Sequence, residues 1–403
     1  MPNYSDQDAM YKCTIIGISD SRKQWFPPHV MEVIRTGHVF SGGKRHAEIM
    51  GALLPEGALW IDITVPLDAV FRQYAQHDEV VIFASGDPLF YGFANTVQRE
   101  CPEVRMTVYP SFHSLQMLAH RMCLPYHDMH VVSLTGRSWD CFDEALINGE
   151  PLIGCLTDRH NTPHAIMQRM LDYGYDNYRM TVGENLGNEH AERISTYSSA
   201  ASYAHPNCII LQRTYQRPRP FGIPEQAFHL LNGRAKMITK MPIRLLSLSM
   251  LDLRNRQSFW DVGFCTGSVS IEARLQFPHL HITAFEVREE GRELMAANSR
   301  RFGAPGIESV IGDFLDADLT AYPAPDAVFI GGHGGRLKEM IARLRTVLTP
   351  DGVIVFNSVT DDSRRLFEAG VEEAGMTIVQ STRIAIDEHN PIQVLLARQV
   401  SET

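Results

Sequence analysis

Residues 260–273 read WDVGFCTGSVSIEA. A β-prone lead of Trp260, Asp261 and Val262 enters a loop bounded by Gly263 and Gly267, and an amphipathic run follows. That pattern is a strand, a tight turn and a helix. Such a turn either caps a strand–helix junction or cradles a ligand. A P-loop needs G-x-x-x-x-G-K-[ST], and here Gly267 is followed by Ser268 with no lysine. A dinucleotide fingerprint needs G-x-G-x-x-G, and Cys265 stands where the second glycine would let backbone approach a pyrophosphate. S-adenosylmethionine (SAM) has no pyrophosphate. It asks for a tight turn, backbone groups for its amino-acid end and an acid for its ribose. Glu286 ends the next strand in TAFEV, 25 residues after Asp261, and Asp313 follows in IGDF, placed to border the adenine. The acids on either side of the loop favour a SAM turn over a bare cap.

The chain around this turn continues as an α/β series. SFWDVG (258–263), HITAFEV (281–287), DAVFIGG (326–332) and GVIVFNS (352–358) read as strands. Helical runs at 268–276, 288–302, 335–347 and 361–374 separate them. MTIVQSTRIAI (376–386) and IQVLLARQV (392–400), joined by DEHNP, read as a closing antiparallel hairpin. Methylases of nucleic-acid amines often carry an Asn/Asp-Pro-Pro-aromatic stretch after the fourth strand, where a flipped base stacks. FIGGHGG (329–335) occupies that place here, a glycine-lined pocket with one histidine, which argues against a base methylase.

The turn begins past residue 260 of 403, a length that suggests two or three domains. Hydrophobic content of 44% and charged content of 21% describe a globular chain able to bury its own cores. A net charge of −10 argues against a broad phosphate-tracking surface. Seven scattered cysteines without a Cys-x-x-Cys suit reduced thiols, neither a disulfide framework nor a zinc site. MPNYSDQDAM has no apolar signal core, and no apolar run reaches the ~18–20 residues of a membrane span, so the cytoplasm is the expected location.

Ahead of the turn, CTIIGIS (13–19), EVVIFAS (79–85), VRMTVYP (104–110), MHVVSLT (129–135), PLIGCLT (151–157) and NCIILQR (207–213) read as strands. Helix-like stretches such as 90–100, 114–122 and 162–172 lie between them, which implies α/β layering with parallel pairing. QRPRPFGIPE (216–225) carries three prolines and suits a domain boundary. ASGDPLFYG (84–92) reads as a strand, a Gly-Asp-Pro turn and an immediate helix, whose start would suit a polar or anionic ligand.

ITKMPIR (238–244), WDVGFCTGSVSIEA, AFEVREEGRELMAANSRRFG (284–303), IGDF, DAVFIGG and FNSVT (356–360) together resemble the decarboxylating methyltransferase domain of cobalamin biosynthesis. That resemblance implies SAM contacts from Thr239, the loop Gly263, Phe264, Cys265, Thr266 and Gly267, then Glu286 and Phe314. Two departures stand out. Met241 and Pro242 replace the middle of the usual Thr-Lys-Arg-Glu-Val-Arg, and Phe314, large enough to stack on or crowd the adenine, replaces the alanine of Gly-Asp-Ala-Pro.

GGKRH (42–46), ASGDPLFYG, YPSFHSLQ (109–116), SLTGR (133–137), LTDRHNTP (156–163) and VGENLG (182–187), in this order, resemble the tetrapyrrole methylase family, nearest its member acting on carbon 5 of the corrin ring. The implied fold has two α/β lobes with SAM between them, and the implied contacts are Ser85, Gly86, Asp87, Phe90, His113 and Ser114. GISDSRKQW after the first strand departs from the family's Gly-x-Gly-Pro-Gly, and SLTGR from its Ser-Leu-His-Gly-Arg. The expected organisation is a tetrapyrrole methylase domain over 1–215, a linker over 216–223 and a Rossmann-like methyltransferase sheet over 224–403. It implies one SAM per domain, methylation of a precorrin at carbons 5 and 15, loss of the carbon-12 acetate carboxyl, and self-association.

Methyl transfer needs alignment more than covalent help. The many carboxylates of such a substrate call for local cations, for which Lys44, Arg45, Arg137, Arg159, Lys240 and Arg244 are candidates. His333, His113 and Asp87 are candidates for proton movement. DFLDAD (313–318) reads as a capped turn, and no metal is expected. The competing readings are a methylase pair acting on ribosomal RNA, and a tetrapyrrole- or SAM-binding regulator with one inactive domain.

Overall fold

The computed structural model describes residues 11–234, 237–386 and 391–400. The DEHNP connection falls at 387–391, and its first four residues lie outside the described ones. The chain divides into two compact units. One comprises residues up to Arg137 with 151–166 and 178–214, and the other 138–150, 167–177 and everything from Tyr215 onward.

The first unit carries two sheets. Lys12–Ile18 (β1), Val39–Gly42 (β2), Leu59–Asp62 (β3), Glu79–Ser85 (β4) and Arg105–Tyr109 (β5) pair in the order β3-β2-β4-β1-β5. Every pairing in this sheet is parallel. β4 is buried along EVVIFAS except at its ends, as a central parallel strand covered on both faces must be. The second sheet holds His130–Ser133 (β6), Leu152–Leu156 (β7), Tyr178–Glu184 (β8), Arg193–Thr196 (β9) and Asn207–Arg213 (β10), in the order β6-β7-β10-β8-β9.

Here the expected parallel pairing gives way. Only β6–β7 is parallel, and β7–β10, β10–β8 and β8–β9 are antiparallel. The reason is local. Tyr178–Glu184 and Arg193–Thr196 carry no clear strand signal in the sequence, and without them the remaining strands call for helical crossovers. No helix separates β8, β9 and β10, and strands joined without a crossover run antiparallel.

The second unit is built on one seven-stranded sheet: Ser258–Val262 (β11), His281–Glu286 (β12), Ile307–Ile311 (β13), Ala327–Ile330 (β14), Val353–Ser358 (β15), Met376–Ile384 (β16) and Ile392–Gln399 (β17). The order β13-β12-β11-β14-β15-β17-β16 reverses direction at β11, between β12 and β14. β11 to β15 are parallel, and β17 is antiparallel to both β15 and β16, as the closing hairpin predicts. Apolar clusters cover both faces, one around Trp260, Ile330 and Phe356, the other around Phe259, Phe329 and Val355. In such sheets ligands bind beyond the carboxyl ends of the strands at the reversal, where residues 263–267 and 331–335 emerge.

Residues 216–223 pack onto this unit. Glu272, fully buried, accepts from the amides of Gly222 at 2.7 Å and Ile223 at 3.0 Å. Within the same unit, fully buried Asp143 accepts from Arg169 Nε at 2.7 Å, and Arg274 Nη2 stands 3.9 Å away.

Candidate active sites

The turn after β11 is fixed from below and crowded from the side. The amides of Gly263 and Phe264 both donate to the Phe285 carbonyl of β12, at 2.8 and 3.1 Å. Gly263 has φ +80°, and a Cβ there would lie 2.5 Å from the Gly332 nitrogen. The loops after β11 and β14 therefore touch backbone to backbone. Gly267, φ +74°, precedes helix Ser268–Gln276. Phe264 is core, and Cys265 sits at φ +52°, the left-handed conformation a glycine would take more easily.

Glu286 is brought under this turn. Its Oε2 accepts from the Cys265 amide at 2.8 Å, and its Oε1 accepts from the Arg288 amide at 3.1 Å and from Arg288 Nη1 at 3.0 Å. A carboxylate has about four acceptor sites, so capacity remains for a ligand hydroxyl. Asp313 accepts from the Leu315 amide at 2.9 Å and from Arg336 Nη1 at 3.1 Å. Glu286, Asp313 and Phe314 line a cavity of about 290 Å³. A second cavity of about 800 Å³ is lined by Thr239, Lys240, Asp261, Cys265 and Thr266, with an apolar far wall that includes Phe356 and Ile392. Gly263, Arg288, Gly332 and His333 border both and form the ridge between them. His333 Nδ1 accepts from the Gly335 amide at 3.1 Å, so the neutral ring carries its proton on Nε2, and burial lowers its pKa.

In the first unit, the segments after β4 and β5 also touch through a glycine. Gly86 has φ +64°, and a Cβ there would lie 2.8 Å from His113 Cα. Ser85, Gly86, Phe90, His113 and Ser114 line a cleft of about 460 Å³ together with Ser19, Asp20, Arg45 and His46. His113 caps helix Ser114–Arg121: its Nδ1 accepts from the Gln116 amide at 3.3 Å, and Gln116 Oε1 accepts from the His113 amide at 3.2 Å. Its ring stacks on Phe90 at 3.7 Å between centroids. Burial lowers its pKa to about 4 against the opposing pull of Asp87, so the ring is neutral.

Comparison with known proteins agrees with both halves. The tetrapyrrole (corrin/porphyrin) methylase family matches residues 12–200, and the precorrin methyltransferase domain matches 232–399. A Sinorhizobium precorrin-6Y C(5,15)-methyltransferase [decarboxylating] is 30% identical over 357 residues, covering 87% of this chain and 85% of its own. The chain belongs to this family. Two single-activity proteins of Salmonella typhimurium each match part of the chain. A cobalt-precorrin-6B C(15)-methyltransferase (decarboxylating) is 33% identical over 40% of this chain and 83% of its own. A cobalt-precorrin-7 C(5)-methyltransferase is 28% identical over 45% of this chain and 88% of its own.

Within this family frame, several expected positions take other roles. Arg244 is fully buried and absent from the cavity walls. Its Nε faces Glu272 at 3.2 Å, its Nη1 donates to the Thr239 carbonyl at 2.9 Å and its Nη2 to the Ile223 carbonyl. It holds Thr239 in place and, with no exposed surface, reaches no substrate carboxylate. Phe314 packs its ring largely into the core, edge-on to Phe285 at 5.1 Å, while still bordering the smaller cavity. Asp87 closes its own turn by accepting from the Leu89 amide at 2.9 Å and does not line the cleft. The helix expected at once after Gly-Asp-Pro begins only at Phe93, so no helix N-terminus faces that turn.

Lys44 and Arg159 are exposed and off the cleft wall, while Arg137 lies 4.9 Å over the ring of Tyr91, which does line it. Asp261 served in the sequence only as a marker of the turn. It is wholly buried, its Oδ2 accepts from the Ser270 amide at 3.1 Å, and its Oδ1 has no partner among the described residues. Burial raises its pKa to about 7. Arg288 and His46 were also passed over, although AFEVREE and GGKRH display them.

No helix among the described residues is long and apolar enough to cross a membrane.

Proposed function

We propose that this chain is a SAM-dependent C-methyltransferase that methylates a precorrin, precorrin-6B or its cobalt form, at carbons 5 and 15 and removes the carboxyl of the carbon-12 acetate, in cobalamin biosynthesis. The observation that carries the reading is a methylase-type cavity in each unit, each walled by a glycine that admits no side chain. The unit holding 224–403 takes carbon 15 and the decarboxylation, and the domain over 1–215 takes carbon 5. Each domain holds one SAM.

The donor sets fit that cofactor. In the second unit Glu286 offers acceptor capacity to the ribose, and Asp261 Oδ1, buried without a partner among the described residues, offers an acceptor to the amino-acid end. In the first, Ser85, Gly86, Phe90, His113 and Ser114 would hold it. SAM supplies an electrophilic methyl group when bound. The chain's task is to hold the nucleophilic ring carbon in line with it. Lys240 and Arg45, on the two cavity walls, pair substrate carboxylates. Loss of the acetate carboxyl breaks a carbon–carbon bond, whose electron pair enters the conjugated ring, and leaves a methylene carbon that needs a proton. His333, on the ridge, delivers it from Nε2 when its ring is protonated, and returns to the neutral form.

The enzyme so read is cytoplasmic and self-associating, and binds neither nucleic acid nor membrane. Incubation of the full chain with precorrin-6B and SAM, followed by mass spectrometry, tests the reading: two methyl groups gained and one carbon dioxide lost are expected. A product with one methyl and an intact acetate overturns the second-unit assignment. A calorimetric stoichiometry of one SAM per chain would favour a protein with one inactive domain.

A further inference from the structure

The cleft of the first unit contains a hydroxyl whose hydrogen-bond direction is set by its neighbours. Ser85 ends β4, is exposed, and lines the cleft. Its Oγ is 2.9 Å from Arg45 Nη2 and 2.9 Å from His46 Nε2. Arginine only donates. The histidine's role follows from its other nitrogen: Nδ1 accepts from the Gly43 amide at 3.3 Å. A neutral imidazole accepting at Nδ1 carries its proton on Nε2 and cannot accept there. Burial lowers the pKa of His46 to about 4, with Arg45 acting the same way and the Phe83 carbonyl and Asp20 opposing, so the neutral ring is the relevant one. Both neighbours of Ser85 are therefore donors, which occupy its two lone pairs. Its own O–H has no acceptor among the described residues and is open to the cleft.

Arg45 is itself held. Asp20 Oδ1 lies 3.6 Å from its Nε, and Asp20 Oδ2 accepts from Asn188 Nδ2 at 3.2 Å. Asp20 belongs to the stretch that departs from the family's glycine-rich first loop. The Nε edge of the guanidinium thus faces Asp20 while its Nη2 reaches Ser85. The free Ser85 hydrogen and the remaining guanidinium hydrogens form a paired donor set, the arrangement that matches two carboxylate oxygens.

We propose that Ser85 and Arg45 form a carboxylate clamp in the first-unit cleft and that His46 is its positioning residue, fixing the Ser85 hydroxyl as a donor to the ligand. This rests on the carbon-5 methylation proposed above. Two carboxylates are available, the acidic side chains of the macrocycle and the amino-acid end of SAM.

The test uses the full chain, with carbon-15 methylation by the same polypeptide as the check on folding. His46→Ala frees Ser85 to rotate and should cost about 10-fold or more in affinity for the clamped partner, the range for hydrogen bonds to charged groups. His46→Gln, whose Nε2 retains a donor, should restore most of it. A rise in KM for the tetrapyrrole with SAM affinity unchanged identifies a substrate carboxylate, and the converse identifies SAM. Because His46 acts through Ser85, His46→Ala added to Ser85→Ala should have no further effect. Equal KM and Kd in His46→Ala and the parent overturn the clamp, as do fully additive losses in the double variant. If the parent forms no carbon-5 product, the functional reading fails instead, and SAM affinity alone still reports on the cofactor arm.

Discussion

Gly263→Ala is the sharpest perturbation of the second-unit site, because two separate penalties meet at one atom. The residue's φ of +80° places any non-glycine in the left-handed region, at about 1–2 kcal/mol. The added Cβ would also lie 2.5 Å from the nitrogen and 2.8 Å from both Cα and oxygen of Gly332. All three are backbone atoms, and the Gly331 amide that precedes them is tied to the Val262 carbonyl at 2.8 Å, so no side chain can swing aside. Relief requires the two loops to part along the ridge shared by the two cavities. Gly334→Ala separates the penalties: its φ is +53°, but nothing lies within 4 Å of the new Cβ, so it carries the conformational term alone. At about 2–4 °C of Tm per kcal/mol for a domain of this size, Gly334→Ala should lower the transition by a few degrees. Gly263→Ala should lower it further, abolish the second-unit SAM titration and reduce carbon-15 product about 100-fold, leaving the first-unit SAM titration intact. Calorimetry and mass spectrometry read both sites in one sample. Equal damage from the two variants, or SAM binding by Gly263→Ala at parental affinity, would refute the contact between the loops as the reason for the glycine.

Arg244→Met leaves Glu272 buried with two backbone amides and no counter-charge, at about 3–5 kcal/mol in urea denaturation; the tetrapyrrole KM of the folded fraction should not move, and a raised KM at unchanged stability would return Arg244 to the substrate. Asp261 has a folded pKa of about 7, above an unfolded value near 3.9, so its favourable contribution is complete below about pH 4 and fades as pH rises through 7. The stability difference between parent and Asp261→Asn should accordingly fall across that window, and a flat difference would refute the raised pKa. His333→Gln should lower kcat for decarboxylation about 100-fold with little change in KM; unchanged kcat removes His333 from proton transfer.

What was legible in the sequence is what local pattern determines. Strands with a continuous buried run, such as EVVIFAS and SFWDV, announce themselves because parallel strands are buried on both faces. The four-residue strands Val39–Gly42, Leu59–Asp62 and Arg193–Thr196 carry too few residues for a periodicity. With two strands of the 178–213 segment unseen, the antiparallel half of the second sheet could not be foreseen. The glycine loops were legible for the same reason as the long strands: backbone demands restrict residue type. Gly263, Gly267 and Gly86 all have positive φ. Cys265 shows the limit of that logic. Its side chain argues against a pyrophosphate, yet its backbone holds the left-handed turn a glycine would hold, and the Glu286 carboxylate beneath its amide supports it.

Charged residues were read less well, because a charge declares chemistry without direction. Arg45 and Arg244 look alike in sequence, each basic and each beside a recognisable motif. Arg45 faces Asp20 and the Ser85 hydroxyl and opens onto a cleft. Arg244 faces a buried glutamate, donates to two carbonyls and has lost all exposure. The difference lies at Glu272, 28 residues downstream and itself fully buried. A buried carboxylate must find a cation, and the nearest one is then withdrawn from the substrate. At His46 the deciding contact is local instead. A backbone amide three residues earlier sets its tautomer, and the tautomer sets the direction of Ser85. A short-range contact of that kind can be sought in sequence wherever a histidine follows a glycine pair by three residues at a strand–helix junction, and GGKRH is such a place.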